Sequence, residues 1–262
     1  MSFSAEQLMG LRERFLAKQL RLRADVQRRG ISADRGTKTQ SLIDALRFEA
    51  VASYVLDRNA DGFRSTLAEC VALKAMLFEA KRGGEDIVPH AVTFAEYGFV
   101  YYGFAAGRPE VARRVALALH GETPQAEINY VAMALCKLLT GEAPHARHYL
   151  AEAVAVCGDE IFAAYAQGIQ SIADSNQGHF AASLRVIASA HERECKTPFS
   201  EVVDTEEELL SLWGVGIANL GTYFGLTIPS DFDSPVIPRD LLVTWESRWC
   251  ASGKGAAIFS DD

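Results

Sequence analysis

Apolar residues recur at helical spacing along almost the whole chain, as in Phe63, Leu67, Cys70, Val71, Leu77 and Phe78, or Phe180, Leu184, Ile187 and His191. Alternation of the kind that makes a half-buried strand is essentially absent. A chain patterned this way can bury its apolar stripes only by packing helix on helix. Breakers interrupt the pattern at residues 30–36, 59–62, 83–89, 107–109, 121–124, 141–144, 157–159 and 176–178, which predicts about ten helices.

Several of these breaks are alike. In Ala106-Gly-Arg-Pro-Glu110, Thr140-Gly-Glu-Ala-Pro144 and Ser175-Asn-Gln-Gly-His-Phe180, one helix ends in small or polar residues, a glycine follows, and a proline, acid or aromatic opens the next helix. Glycine can take the left-handed conformation that closes a helix, and proline suits a first turn where its missing N–H is not needed. The three motifs begin 34 and 35 residues apart, the period of tetratricopeptide-like hairpins. The earlier equivalent, Asp57 to Phe63, lies 49 residues before Ala106, and the tetratricopeptide consensus is not kept. The expected fold is therefore all-α, an irregular solenoid or bundle of stacked helical hairpins that looks repetitive only in its central third. A single domain over residues 1–250 is expected, with a small, polar tail at 251–262 that frays. Three prolines between Thr227 and Pro238 exclude helix there. A short helix from Pro238 to about Trp249 is expected to pack back through Leu241, Leu242, Trp245 and Trp249.

The formal charge is −8 and the sequence pI about 5.3, which disfavours a nucleic-acid binder needing clustered Lys and Arg. The charge is uneven: residues 1–50 hold ten Lys or Arg against six Asp or Glu, whereas residues 201–240 hold eight acids and only Arg239. Five widely spaced cysteines without a Cys-x-x-Cys pair suggest reduced, mostly buried thiols. Charges from Glu6 onward leave no signal-peptide core, so a cytoplasmic protein is expected. Leu209 to Ile228 runs twenty residues without a charge, but its glycines, Ser211, Asn219 and threonines favour a buried core helix over a membrane span.

Catalytic signatures are missing. No His-Glu-x-x-His, Gly-x-Ser-x-Gly or phosphate-cradling loop occurs. His191 and Cys195 stand one helical turn apart, a metal-like spacing, yet His191 continues an apolar stripe and reads more simply as a core or rim histidine. His145 and His148 share a face without a third ligand. Gly214-Val-Gly216 could begin a dinucleotide fingerprint, but Asn219 takes its third glycine position and no strand precedes it; Gly214, Ala218, Gly221 and Gly225 read instead as a stripe for close helix approach. No cofactor and no metal are expected, and no pair of candidate groups is brought together for an enzyme.

Two clusters remain for binding. Phe94, Tyr97, Phe99, Tyr101, Tyr102 and Phe104 are too dense for one helix face, so they make either a helix buried all round or a tyrosine-rich binding surface. Glu201, Asp204, Glu206, Glu207 and Glu208 precede a helix expected to start near Thr205, with Glu208 able to complete a capping box. Capping uses two or three acids, not five. Together with Asp231 and Asp233, they form either a solvated face or a partner-facing acidic surface.

The order acidic run, Leu209 to Leu226, then Pro229 to Pro238 with Leu241-Leu-Val243, resembles the ending of helical bacterial immunity proteins of the immunity protein 49 family, and more loosely of the PoNi group that neutralises DNase toxins. The resemblance covers residues 200–245, about 45 residues, and agrees elsewhere only in helical character and length. It implies an antitoxin: a rigid helical body that docks on a cognate protein toxin and blocks its active site. Against a nuclease with a basic substrate groove, carboxylates would mimic phosphates and speed encounter. The residues expected to serve are Glu201, Asp204, Glu206, Glu207, Glu208, Asp231 and Asp233, with Tyr97, Tyr101 and Tyr102 as aromatic anchors. The other reading is a tetratricopeptide-like scaffold or regulator that holds a peptide. A homo-oligomer is compatible with either.

Overall fold

Ten α-helices and no strand make up the described residues, 4–119, 127–156, 160–197 and 205–245, of a computed structural model of the chain. The first three helices, α1 (Ala5–Arg29), α2 (Thr37–Asp57) and α3 (Ala60–Arg82), zigzag antiparallel. A 3-10 turn at Phe94–Tyr97 leads into α4 (Gly98–Ala105), which pairs with α5 (Pro109–Leu119). Two further hairpins follow, α6 (Glu127–Leu139) with α7 (Ala143–Val156), and α8 (Glu160–Ala173) with α9 (Gln177–Glu194). The last helix, α10 (Leu212–Tyr223), returns to the middle of the array and packs on α4, α8 and α9.

Local chemistry accounts for the helix ends. Ser4 caps α1 with a full capping box to Gln7, Asn59 caps α3, and Asn176 caps α9, each side chain accepting a hydrogen bond from a first-turn N–H. The three similar motifs close with the same geometry. Arg108 N–H donates to Gly103 O, Glu142 N–H to Lys137 O and Asn176 N–H to Ser171 O, at 2.8, 2.8 and 2.7 Å. The left-handed residues are Gly107, Gly141 and Ser175, so the third turn is closed by a serine and not by Gly178, the glycine of its motif.

One apolar core runs from Leu22 to Leu241 and touches every helix, with Leu8, Phe48 and Ala52 as a small satellite under α1. The aromatic run resolves in favour of burial: every residue of α4 is buried. No described helix is long and apolar enough to cross a membrane.

α10 can lie inside the array because its glycines give it room. A Cβ on Gly216 would run into the Tyr101 carbonyl of α4, and one on Gly221 into the Phe180 ring of α9. Gly214 admits Ile237 from the proline-rich segment. Of the expected stripe Gly214, Ala218, Gly221 and Gly225, Gly214 and Gly221 serve this close approach, whereas Gly225 lies beyond the helix and faces open space; the tightest backbone contact is at Gly216, outside the stripe. That segment is ordered by Arg239, whose guanidinium donates to the carbonyls of Pro229, Ser230 and Phe232.

Two expectations need correction. The helix from Pro238 to Trp249 is only a 3-10 turn at Arg239–Leu241, after which residues 242–245 are non-helical; Trp249 lies outside the described residues, as do Cys157, Cys250, the breaks at 121–124 and 157–159, and the tail 251–262. Nor does a helix begin near Thr205. Thr205 caps a 3-10 turn at Glu206–Leu209 by accepting from Glu207 N–H, not Glu208, and a separate cap, Ser211, starts α10. Replacing Gly216 by Ala is expected to cost about 1–3 kcal/mol, because the opposing atoms are backbone and cannot swing away. Chemical denaturation of Gly216→Ala beside Gly10→Ala, an open position on α1, checks this.

A carboxylate and aromatic cleft as the candidate functional site

Where α10 meets α4, α8 and α9, a cavity of about 370 Å³ remains. Each wall comes from a different element. Phe99 and Tyr102 come from α4, Ile161, Phe162 and Tyr165 from α8, His191 and Glu194 from α9, and Ser211 and Trp213 from the start of α10. Arg47 of α2, Glu96 of the turn before α4, and Thr205 and Glu207 of the acidic turn complete it. Ile161, Phe162, Glu194, Thr205 and Trp213 are half-buried, and Tyr102 and Tyr165 are buried behind them.

Trp213 is seated by the aromatic core beneath it. Its ring lies 5.2 Å from Tyr97, 5.4 Å from Tyr101 and 5.4 Å from Tyr165, and 6.2 Å from Phe162 across the cleft wall. Gly98 provides the space, since a Cβ there would strike the indole. Tyr97 and Tyr101 are fully buried. They cannot touch a partner directly, and their expected role as surface anchors is corrected to supporting Trp213. Tyr101 Oη has no hydrogen-bond partner among the described residues, and burial pushes its pKa well up. Of the three tyrosines, only Tyr102 reaches the cleft; its hydroxyl donates to Glu207 at 3.0 Å.

The acidic turn faces inward. Glu206 and Glu208 are buried, and Arg47 pairs with Glu206 at 3.1 Å and Glu207 at 3.4 Å. The expected outward surface of Glu206, Glu207 and Glu208 is therefore corrected: Glu206 and Glu207 tie the last third of the chain to α2, because a carboxylate inside the fold is stable only with a cation or donors beside it. Asp231 is exposed and bonds Arg185 at 2.8 Å, and Asp233 is exposed. Glu201 and Asp204 lie outside the described residues.

His191 and Cys195 hold this turn from below. The His191 Nε2–H donates to Glu207 O at 2.8 Å, and the Cys195 thiol lies 3.7 Å from Glu208 O. Burial lowers the His191 pKa, against a smaller raising effect of that hydrogen bond. No group of three His, Cys, Asp or Glu among the described residues is placed to hold a metal ion.

Lys74 stands behind the cleft, missed by reading the sequence because its helical position belongs to an apolar stripe. It is fully buried, 2.8 Å from Glu96 and 4.6 Å over the Phe99 ring, and donates to Gln40 and to Ala91 O. Burial lowers its pKa, opposed by Glu96.

No family model, curated protein or solved structure matches this chain. The likeness of residues 200–245 to immunity proteins thus rests on those residues alone.

His191 sets a pH dependence. Its folded-state pKa lies below the ordinary 6.5, so the unfolded chain binds the proton more readily, and the stability from the neutral ring is present above about pH 6.5 and lost as pH falls below it. In thermal melts from pH 7.5 to 5.5, His191 is expected to contribute a destabilisation of at most about 1.4 kcal/mol per pH unit, the limit for one proton. His191→Gln, which keeps a donor for Glu207 O, should show a shallower slope over the same range.

Proposed function

We propose that the protein is an immunity protein that binds a cognate protein toxin in the cytoplasm and occludes its active site, with the cleft at the centre of the docking face. The observation that carries this reading is one of placement: the segment that resembles immunity proteins, residues 200–245, supplies the wall of the cleft formed by Thr205, Glu207, Ser211 and Trp213. A half-exposed tryptophan over a buried aromatic platform, rimmed by carboxylates, has the chemistry of a protein-recognition hot spot. The function needs shape and charge, and asks for no catalytic group.

The peptide-binding scaffold is less well supported. In the three hairpins, α6 touches both α8 and the turn leading into α4, so the first helices α4, α6 and α8 share one side of the array. A peptide-binding repeat array would use that side, but here α10 already packs on α4 and α8. A ligand peptide would have to displace a helix whose residues Leu212 to Gly221 are buried apart from Trp213.

Steering toward a basic partner falls to acids that stay outside, Asp231 and Asp233 among them. Co-expression with the product of the adjacent reading frame is expected to yield a stable complex and to restore growth that the product alone arrests; absence of both sinks the reading. In that complex, Asp231→Lys with Asp233→Lys should slow association several-fold at low salt and flatten its salt dependence, measured by stopped-flow mixing.

A further inference from the structure

We infer that the cleft is a seat for one cationic side chain on an apolar stem, an arginine guanidinium carried by the partner protein. This rests on the reading of the cleft as the docking face, but the chemistry of the seat follows from its own walls. Tyr102, Phe162, Tyr165 and Trp213 line a single cavity of about 370 Å³, a volume suited to a side chain and not to a folded element. Cations are attracted to ring faces, most of all to tryptophan, and this chain already places one such pair beside the cleft, Lys74 over Phe99.

Among the described residues, the charge around the cavity is unbalanced: two cations, Arg47 and Lys74, stand against four carboxylates, Glu96, Glu194, Glu206 and Glu207. His191 does not redress this, because it is buried and donates to Glu207 O from one ring nitrogen. Glu96 is matched by Lys74, while Glu206 and Glu207 share Arg47. Glu194 is half-buried at the rim and has no ion pair or side-chain hydrogen bond among the described residues. A partly desolvated carboxylate beside aromatic faces favours a cation that brings its own donors and an apolar stem. A bare metal ion would instead need several oxygen or nitrogen ligands converging on one point, and the described residues offer no such group.

The test titrates the full-length protein with N-acetylarginine amide, its uncharged citrulline counterpart, and putrescine, following the tryptophan indole N–H signals by NMR. Saturable shifts with the arginine probe are expected, with the citrulline probe weaker by about tenfold or more, the effect of losing one favourable charge contact. Glu194→Gln should weaken the arginine probe by a similar factor at unchanged melting temperature. Equal binding of the two probes, no saturable binding, or an unaltered titration in Glu194→Gln overturns the inference. Putrescine binding without arginine binding also overturns it, since the seat would then belong to a free amine. Failure of the immunity reading is distinct: the arginine probe would still bind Glu194-dependently while the adjacent gene product neither bound nor was neutralised.

Discussion

The rest of the structure depends on one buried amide, that of Asn219 in the middle of α10. Its Nδ2 donates to Phe104 O at the end of α4 and to Leu241 O, its Oδ1 accepts from Val243 N–H, and its own carbonyl accepts from the Trp245 indole. Three parts of the chain meet at this side chain, which is fully buried. A buried polar group left without partners costs about 1–3 kcal/mol, and here the penalty would fall on several groups at once. Any other register of α10 against α4 would incur it. The glycines permit α10 to approach; Asn219 selects where it stops.

From that register the cleft follows. With α10 fixed on α4, Trp213 falls over Gly98 and against Tyr97, Tyr101 and Tyr165. Ser211 then caps α10, while its own N–H donates to Val236 O, so the chain entering the helix and the chain leaving it are bound together. The acidic turn just before is drawn onto Arg47 and His191. The cleft is therefore a consequence of how the last helix is inserted, and its walls come from five separate parts of the chain.

That origin explains what could and could not be read from the sequence. Helices and their turns were legible because their causes are local: the apolar period, the breaks at 59–62 and 176–178, where Asn59 and Asn176 cap the next helix, and a left-handed glycine at Gly107 and Gly141. The site was only partly legible. The acidic run was visible, but its direction was set by Arg47, 159 positions away along the chain. Tyr97 and Tyr101 were candidates for a surface because a dense aromatic run has no solvent-facing pattern, and burial was decided by α10, far off in sequence. The apolar residues Leu241, Leu242 and Trp245 suggested a helix, yet Asn219 takes the Val243 N–H and holds the segment out of helical form. In an otherwise uncharged stretch, Asn219 was the signal that could have been weighted more: a polar residue amid glycines and aliphatics must find partners or destabilise the fold.

The charge asymmetry also changes meaning. A basic first fifth and an acidic last third suggested an acidic surface, but part of that charge is turned inward and bound across the fold. Arg47 meets Glu206 and Glu207, Arg64 donates to Asp240 O, and Tyr54 donates to Asp240. Interactions of this kind join the first hairpins to the last segment, where apolar contacts alone would tolerate sliding. On the proposed reading, what is left for recognition among the described residues is less a charged face than a small number of uncompensated groups. Glu194 is the clearest of them, a half-buried carboxylate lining the cleft without an ion pair or side-chain hydrogen bond among the described residues.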